Sequence, residues 1–577
     1  MNPPCCPVRP KHTESRQTKG LSICVGTALY LFSQLSSAVA AVYYVSSSQG
    51  SDTNSGTSID APWQSLTNVY RHQWEFNPGD SLLLKAGDTF GDPLSLNKGG
   101  APGSPITIDR YGSGPNPIIY GDHPNAIWTA VPGHPGIYST YLGVPGYVGV
   151  GKVYDASGNR YAHLLQGTNT LDSFLSTFTN SVWGANDTAG GNIIYLKTPD
   201  GNSPPKMHLF QSTTVGFMGG YHVIQNLEVC NGGIGIIVNG TGEIIRNNYI
   251  HDGYNNGIFL YKSAFSEATS NTVMRTGETQ IYLQNGGNNW VHHNICSRSG
   301  GDATGYSILG CHFPAGEQAG IGLETGTNNI IEYNSLSYCY GSFFDYFYEV
   351  DTVVRYNDCS HASMAAAPMG TGLKVHHNIF NVGGNGSGLS CSHSYDAGIS
   401  PAPDSGTNLI YNNVIYNVQG AFYTRGSGGI GVTFRNNLVV STSPSFSFVN
   451  VSPGVNSDYN VFYCTTGTPL GWVWNDTNLF TTLTAFRTGT GQETHSVYAN
   501  PQFVSTNPVV ASDFRLRAGS PCVDVGLDLK SVGLLAPTYA YKDFMGSAIP
   551  QDAGPDIGPY EVAAPRQPAN LHIIGSQ

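Results

Sequence analysis

The sequence predicts an all-β solenoid, a parallel β-helix. Three observations carry that prediction: an asparagine recurring at steps near 23 residues, two apolar positions at fixed offsets from it, and a composition rich in Gly and poor in charge. The chain has 577 residues, 40% hydrophobic and 11% charged, with 72 Gly. That balance excludes a disordered chain and one embedded in a membrane throughout. Formal net charge is −12, and the 26 Lys and Arg form no dense run beyond the first twenty residues. Nucleic acid is therefore excluded as a partner.

The recurring pattern starts at "IIRNNYI", residues 244–250, and returns as "SNTVM", "HHNIC", "EYNSL", "RYNDC", "HHNIF", "YNNVI", "RNNLV" and "DYNVF". Its asparagines are Asn248, Asn271, Asn294, Asn334, Asn357, Asn378, Asn413, Asn437 and Asn460, with steps of 23, 23, 40, 23, 21, 35, 24 and 23. Two residues after each comes an apolar side chain: Ile250, Val273, Cys296, Leu336, Cys359, Phe380, Ile415, Val439 and Phe462. Three residues before come Ile245, Ala268, Val291, Ile331, Val354, Val375, Ile410 and Phe434, with Ser457 the polar exception. Fixed offsets of this kind are two stacks of inward side chains. An asparagine at one corner of every coil hydrogen-bonds the backbone there and the amide one coil away, so its role is structural. In the coil before, "VIQNLEV" puts Leu227 at the ladder position.

At the N-terminus, Arg9, Lys11, Arg16 and Lys19 precede the apolar segment "LSICVGTALYLF", and Ala38-Val39-Ala40 fits a small-x-small cleavage pattern. Residues 1–40 are expected to be a secretory signal, with an uncleaved anchor as the alternative reading. The body is then a monomer, secreted or in the periplasmic or extracellular space, without membrane contact once the signal is removed. Three of the 11 Cys lie in the leader, and no C-x-x-C pair offers a thiolate metal site.

The opening "YYVSSSQGSDTNSGTSIDAPWQSL", the "PGD" and "PITIDRYG" segments, the Asn ladder, and the closing "DFRLRAGSPCVDVG" and "DIGPYE" resemble secreted bacterial proteins of the pectate-lyase-like superfamily. The resemblance covers nearly all of residues 42–561. It implies a right-handed parallel β-helix over 41–464, with an irregular insert at about 113–215. Residues 465–561 would be C-terminal coils and a cap, and 562–577 a tail. The superfamily holds polysaccharide lyases, glycoside hydrolases, C5-epimerases and adhesins, so the resemblance specifies fold better than chemistry.

Candidate site residues come from alternation. With Ile258, Ile281 and Ile321 inward, the outward positions are Phe259 and Tyr261, Tyr282 and Gln284, Gly322 and Glu324, then Asp345 and Phe347. This face is aromatic, suited to sugar rings, and carries two acids. Glu324 and Asp345 on neighbouring rungs are the expected catalytic pair for a glycosidic bond in a polysaccharide substrate. Tyr261, Tyr282, Gln284 and Phe347 are the expected substrate contacts, joined by His312 from the long loop and by Lys262 and Arg275. Arg298, Glu349 and Glu278 are nearby charged residues. The alternatives are a Ca²⁺-assisted lyase or epimerase on uronates, in which Lys262 or Arg275 would serve, and a non-catalytic glycan-binding or adhesive surface. No cofactor is required by the hydrolase reading, and Ca²⁺ would be held by the carboxylates with Asp302 or Glu317.

Overall fold

The computed structural model describes residues 40–563 apart from several segments, the longest being 142–149, 164–181, 300–317, 384–396 and 424–430. The expected signal, residues 1–40, lies almost wholly outside them, as does the tail. Among the described residues no helix is long and apolar enough to cross a membrane.

Each coil contributes one strand to each of three parallel sheets. Sheet 1 has thirteen strands, from Val42–Val45 through Ile244–Arg246, Glu267–Thr269 and Trp290–His292 to Asn456–Asp458. Sheet 2 includes Tyr249–His251, Thr272–Thr276 and Ile295–Ser299. Sheet 3 includes Ile258–Tyr261, Ile281–Gln284 and Ile321–Glu324. The long strand Ser335–Phe347 runs from sheet 2 into sheet 3 and pairs with both.

The corner between sheets 1 and 2 is two residues long. Its first residue is left-handed in every ladder coil, with φ between 52° and 57° at Asn247, Ser270, His293, Tyr333, Tyr356, His377, Asn412, Asn436 and Tyr459. For Tyr and His that conformation costs on the order of 1 kcal/mol. The second residue, the ladder asparagine, offsets this by satisfying the corner. Asn294, 1% exposed, donates from Nδ2 to the carbonyls of Ala268 and His292 and to Asn334 Oδ1, at 2.8–3.0 Å. Its own Oδ1 accepts from Asn271 N and Nδ2, both at 3.0 Å. The same pattern runs from Asn248 to Asn437. It ends at Asn460, whose N–H donates to Ser496 Oγ and whose Nδ2 donates to Ser457 Oγ and Glu493 Oε2. That contact accounts for the polar exception Ser457: buried, it donates to the Glu493 carboxylate.

Both expected apolar stacks are buried in one core. A second polar ladder lines the corner between sheets 3 and 1, five residues before the first. There Ser266 Oγ accepts from Glu243 N, Asn289 Oδ1 from Ser266 N, Asn329 Oδ1 from Asn289 N, and Thr352 Oγ1 from Asn329 N, at 3.1–3.3 Å.

Within the stretch 113–215, strands from Thr129–Ala130 to Val182–Asn186 and Ile193–Lys197 form a small mostly antiparallel sheet, and Val150–Asp155 pairs with Met207–Gln211. After the last coil, the helix Leu483–Thr490 sets Leu483 and Phe486 onto the end of the main core. Residues 499–561 then run back along the flank. Phe503, Phe514 and Tyr560 pack on the outer side chains Val414, Leu438 and Val461 of sheet 2. Leu529, Leu535 and Tyr541 pack on Leu409 and Tyr411 of sheet 1. The six described cysteines are free and buried. Burial pushes the thiols of Cys230, Cys339 and Cys522 up to about 12.

Replacing Asn294 by Leu leaves two donors of Asn271 and the carbonyl of Ala268 without partners. The expected loss is at least about 3 kcal/mol, at about 1–3 kcal/mol for each stranded buried group. Urea unfolding checks this; a shift under about 1 kcal/mol would remove the ladder as the main support of that corner.

Candidate active site

The outer face of sheet 3 follows from alternation. In Ile258–Tyr261, Ile281–Gln284 and Ile321–Glu324 the first and third residues are buried in the core, so the second and fourth look outward. Register aligns these into two rows across the rungs. One row is Phe259, Tyr282, Gly322 and Asp345; the other is Tyr261, Gln284, Glu324 and Phe347. Glu324 and Asp345 thus share one face, on adjacent rungs and in different rows. A rung spacing of about 4.8 Å and one alternation along the strand set their Cα atoms about 8 Å apart.

Gly322 is the bare position in the first row. A Cβ there would lie 2.9 Å from Tyr282 Cδ2 and 3.2 Å from Thr279 Cγ2, so the missing side chain lets the Tyr282 ring lean across the rung. The Tyr282 hydroxyl donates to Glu324 Oε2, and Gln284 Nε2 donates to the same oxygen at 2.6 Å. Phe259 backs the Tyr282 ring, centroids 5.1 Å apart and planes 26° off parallel. On the far side of Asp345 the row continues with Ala367. Asp345 therefore stands between two rungs that put no large side chain in its row.

Lys262 sits at the corner after Tyr261, its Nζ 5.0 Å from the centre of that ring. Arg275 is placed on another corner, between sheets 2 and 3, where its Nε and Nη2 both donate to the Asp252 carboxylate at 2.8 Å. His251 completes that group, with Nδ1 2.5 Å from Asp252 Oδ2 and Nε2 3.1 Å from Glu228 Oε1. Glu349 is fully buried in the second ladder, accepting from Gly326 N, Asn329 Nδ2 and Thr352 Oγ1. Burial raises its carboxyl above the usual range. Glu278 lies in the turn that leads into Ile281, its N–H donating to the Asn255 carbonyl. His312, Asp302 and Glu317 lie outside the described residues. Among the described residues no group of three or more His, Cys, Asp or Glu is arranged to hold a metal ion. Glu324 and Asp345 alone fall short of the six to eight oxygens that Ca²⁺ takes.

What sequence reading missed here is the bond between Tyr282 and Glu324. The signal was present: a glycine in an outward position otherwise held by aromatic residues and an acid.

A family described as a right-handed β-helix region matches residues 211–308 and 234–395. The fold is the right-handed parallel β-helix. Over 48 residues the chain is 54% identical to a lacto-N-biosidase of Bifidobacterium longum subsp. longum, a match that takes in 8% of this chain and 3% of that protein's length. Similar solved structures include a lacto-N-biosidase from Eubacterium ramulus, 18% identical, covering 75% of this chain and 65% of that chain with a TM-score of 0.43. A pectate lyase, Pel9A, is 15% identical and covers 91% and 97% with a TM-score of 0.41. These are distant likenesses. The assignment of the β-helix rests on its own strand register and on the matched residues.

If Gly322 acts by admitting Tyr282, then Gly322→Ala and Tyr282→Phe each lower turnover by about tenfold, the worth of one hydrogen bond to a charged group. The double variant should lose no more than either alone. Steady-state rates of the three variants decide it; additive losses would mean that Gly322 acts by another route.

Proposed function

We propose that the protein is an exported glycoside hydrolase that binds a polysaccharide across the rungs of sheet 3 and cleaves it between Glu324 and Asp345. The observation that carries this reading is the pair itself: two acids outward on adjacent rungs, beside an aromatic row, with one carboxylate oriented by two donors. Glu324 Oε2 accepts from both Tyr282 and Gln284, which fixes the orientation of the carboxyl group. In this reading Glu324, held in place by these two donors, serves as the base or nucleophile. Asp345, between the small residues Gly322 and Ala367, is the acid that protonates the leaving oxygen. Phe259, Tyr261 and Phe347 offer apolar faces to the flanking sugar rings, and Lys262 lies at the edge of the same row. Residues 1–40 direct export. The glycosidase name of the relative matched over 48 residues is in keeping with this reading, although the match spans 3% of that relative's length.

The test is a panel of neutral and uronic polysaccharides offered to the purified protein. A hydrolase releases reducing ends without the ultraviolet absorbance of an unsaturated product. Glu324→Gln and Asp345→Asn are each expected to lower kcat by about 10³-fold while changing KM little. Absorbance from unsaturated ends would instead favour a lyase, and glycan retention without turnover a binding protein. Full activity in both variants would remove the pair from the chemistry.

A further inference from the structure

A second cavity lies on a different sheet, three to five coils beyond Asp345. Its floor is a row of outward side chains of sheet 2, Tyr416, Val440 and Tyr463, in register on successive rungs. The returning flank closes it with Phe503, Gln502 and Arg517, leaving a volume of about 340 Å³, within the range of small-ligand sites.

Of the polar groups facing this space, Asn500 Oδ1 accepts from Gln502 N and Ser505 Oγ from Asn507 N, while the tyrosine hydroxyls have no protein partner among the described residues. Tyr416 is 8% exposed, and the edges of Phe514 and Phe503 fix its ring at centroid distances of 5.2 and 6.4 Å. Its hydroxyl has no hydrogen-bond partner among the described residues, and neither has that of Tyr463. Burial pushes the Tyr416 hydroxyl above the ordinary phenol range. Arg517 donates from Nη2 to the Val504 carbonyl at 3.0 Å and pairs with no carboxylate among the described residues. The chain has 38 acids against 26 bases, yet no acid lines this cavity.

We propose that this cavity binds one acidic sugar unit, separately from the groove on sheet 3. The partly exposed Tyr463 ring offers an apolar face to a pyranose, and the hydroxyls of Tyr416 and Tyr463 supply hydrogen bonds to the sugar. The unpaired guanidinium supplies a planar fork for the sugar carboxylate. With no acid to act on a glycosidic bond, the site holds glycan and leaves cleavage to the groove.

Calorimetric titration of the full-length Glu324→Gln protein tests this without interference from turnover. Glucuronate and galacturonate are the probes, with glucose and galactose as the same rings lacking the carboxylate. Uronate binding at least tenfold tighter than that of the matched neutral sugar is expected. The difference should vanish in Arg517→Gln added to the same background and return in part in Arg517→Lys, with unchanged thermal midpoints because Arg517 is exposed. Tyr416→Phe should weaken binding several-fold. Binding that ignores the carboxylate, binding that survives Arg517→Gln, or no binding of either uronate would overturn the proposal. None of these outcomes bears on whether Glu324 and Asp345 cleave glycans, since turnover in the groove is suppressed in every arm.

Discussion

One hydrogen-bond pattern sets the geometry of everything else: an asparagine amide that accepts from the coil before it and donates to the coil after it. A sharp corner between two strands leaves backbone donors and acceptors buried with no ladder partner, and each such group is expensive to strand. In this chain the corner is made by a left-handed residue followed by asparagine, and the amide answers the groups that the strands cannot reach. Because each amide needs the next, the coils are locked in register along the stack. The ladder closes on a serine and a buried glutamate, Ser496 and Glu493, where no further coil follows.

Register has a chemical consequence. In a strand, a slip of one residue reverses every side chain. Holding each coil at the corner therefore decides which acids look out of sheet 3 and which enter the core. Glu324 and Glu349 illustrate the two outcomes. The first stands outward, oriented by a tyrosine and a glutamine; the second is swallowed by the next corner and spends both its oxygens on Gly326, Asn329 and Thr352. The repeat also leaves three faces free to carry different things. Sheet 3 carries the acids, while sheets 1 and 2 support the returning C-terminal flank, through which Phe503 and Arg517 shape the second cavity.

The ladder and the two core stacks were legible in the sequence because one residue type repeats at nearly constant spacing with apolar residues at fixed offsets. The inward and outward assignment of Tyr261, Tyr282, Gln284, Glu324, Asp345 and Phe347 follows from the same phase and matches the strand register. The second ladder was as regular in position but mixed in chemistry: Glu243, Ser266, Asn289, Asn329 and Thr352 perform one task with four residue types, so no repeated letter marks it. The flank at 499–561 has no period at all. Its contacts are specific pairs, such as His376 with the hydroxyl of Tyr539 and Asn412 with that of Tyr541, joining residues more than 120 positions apart. The Tyr282 bond to Glu324 depends on an absent Cβ one rung away, which alternation alone does not reveal.

The most direct test of this account is a crystal structure of Glu324→Gln with an oligosaccharide of whichever glycan the protein cleaves. The account predicts a sugar chain lying across the rungs of sheet 3, with the scissile oxygen within hydrogen-bond reach of Asp345 and the sugar beside position 324 resting near Tyr282. A chain bound on another face, or one whose glycosidic oxygen is remote from both positions, would contradict it.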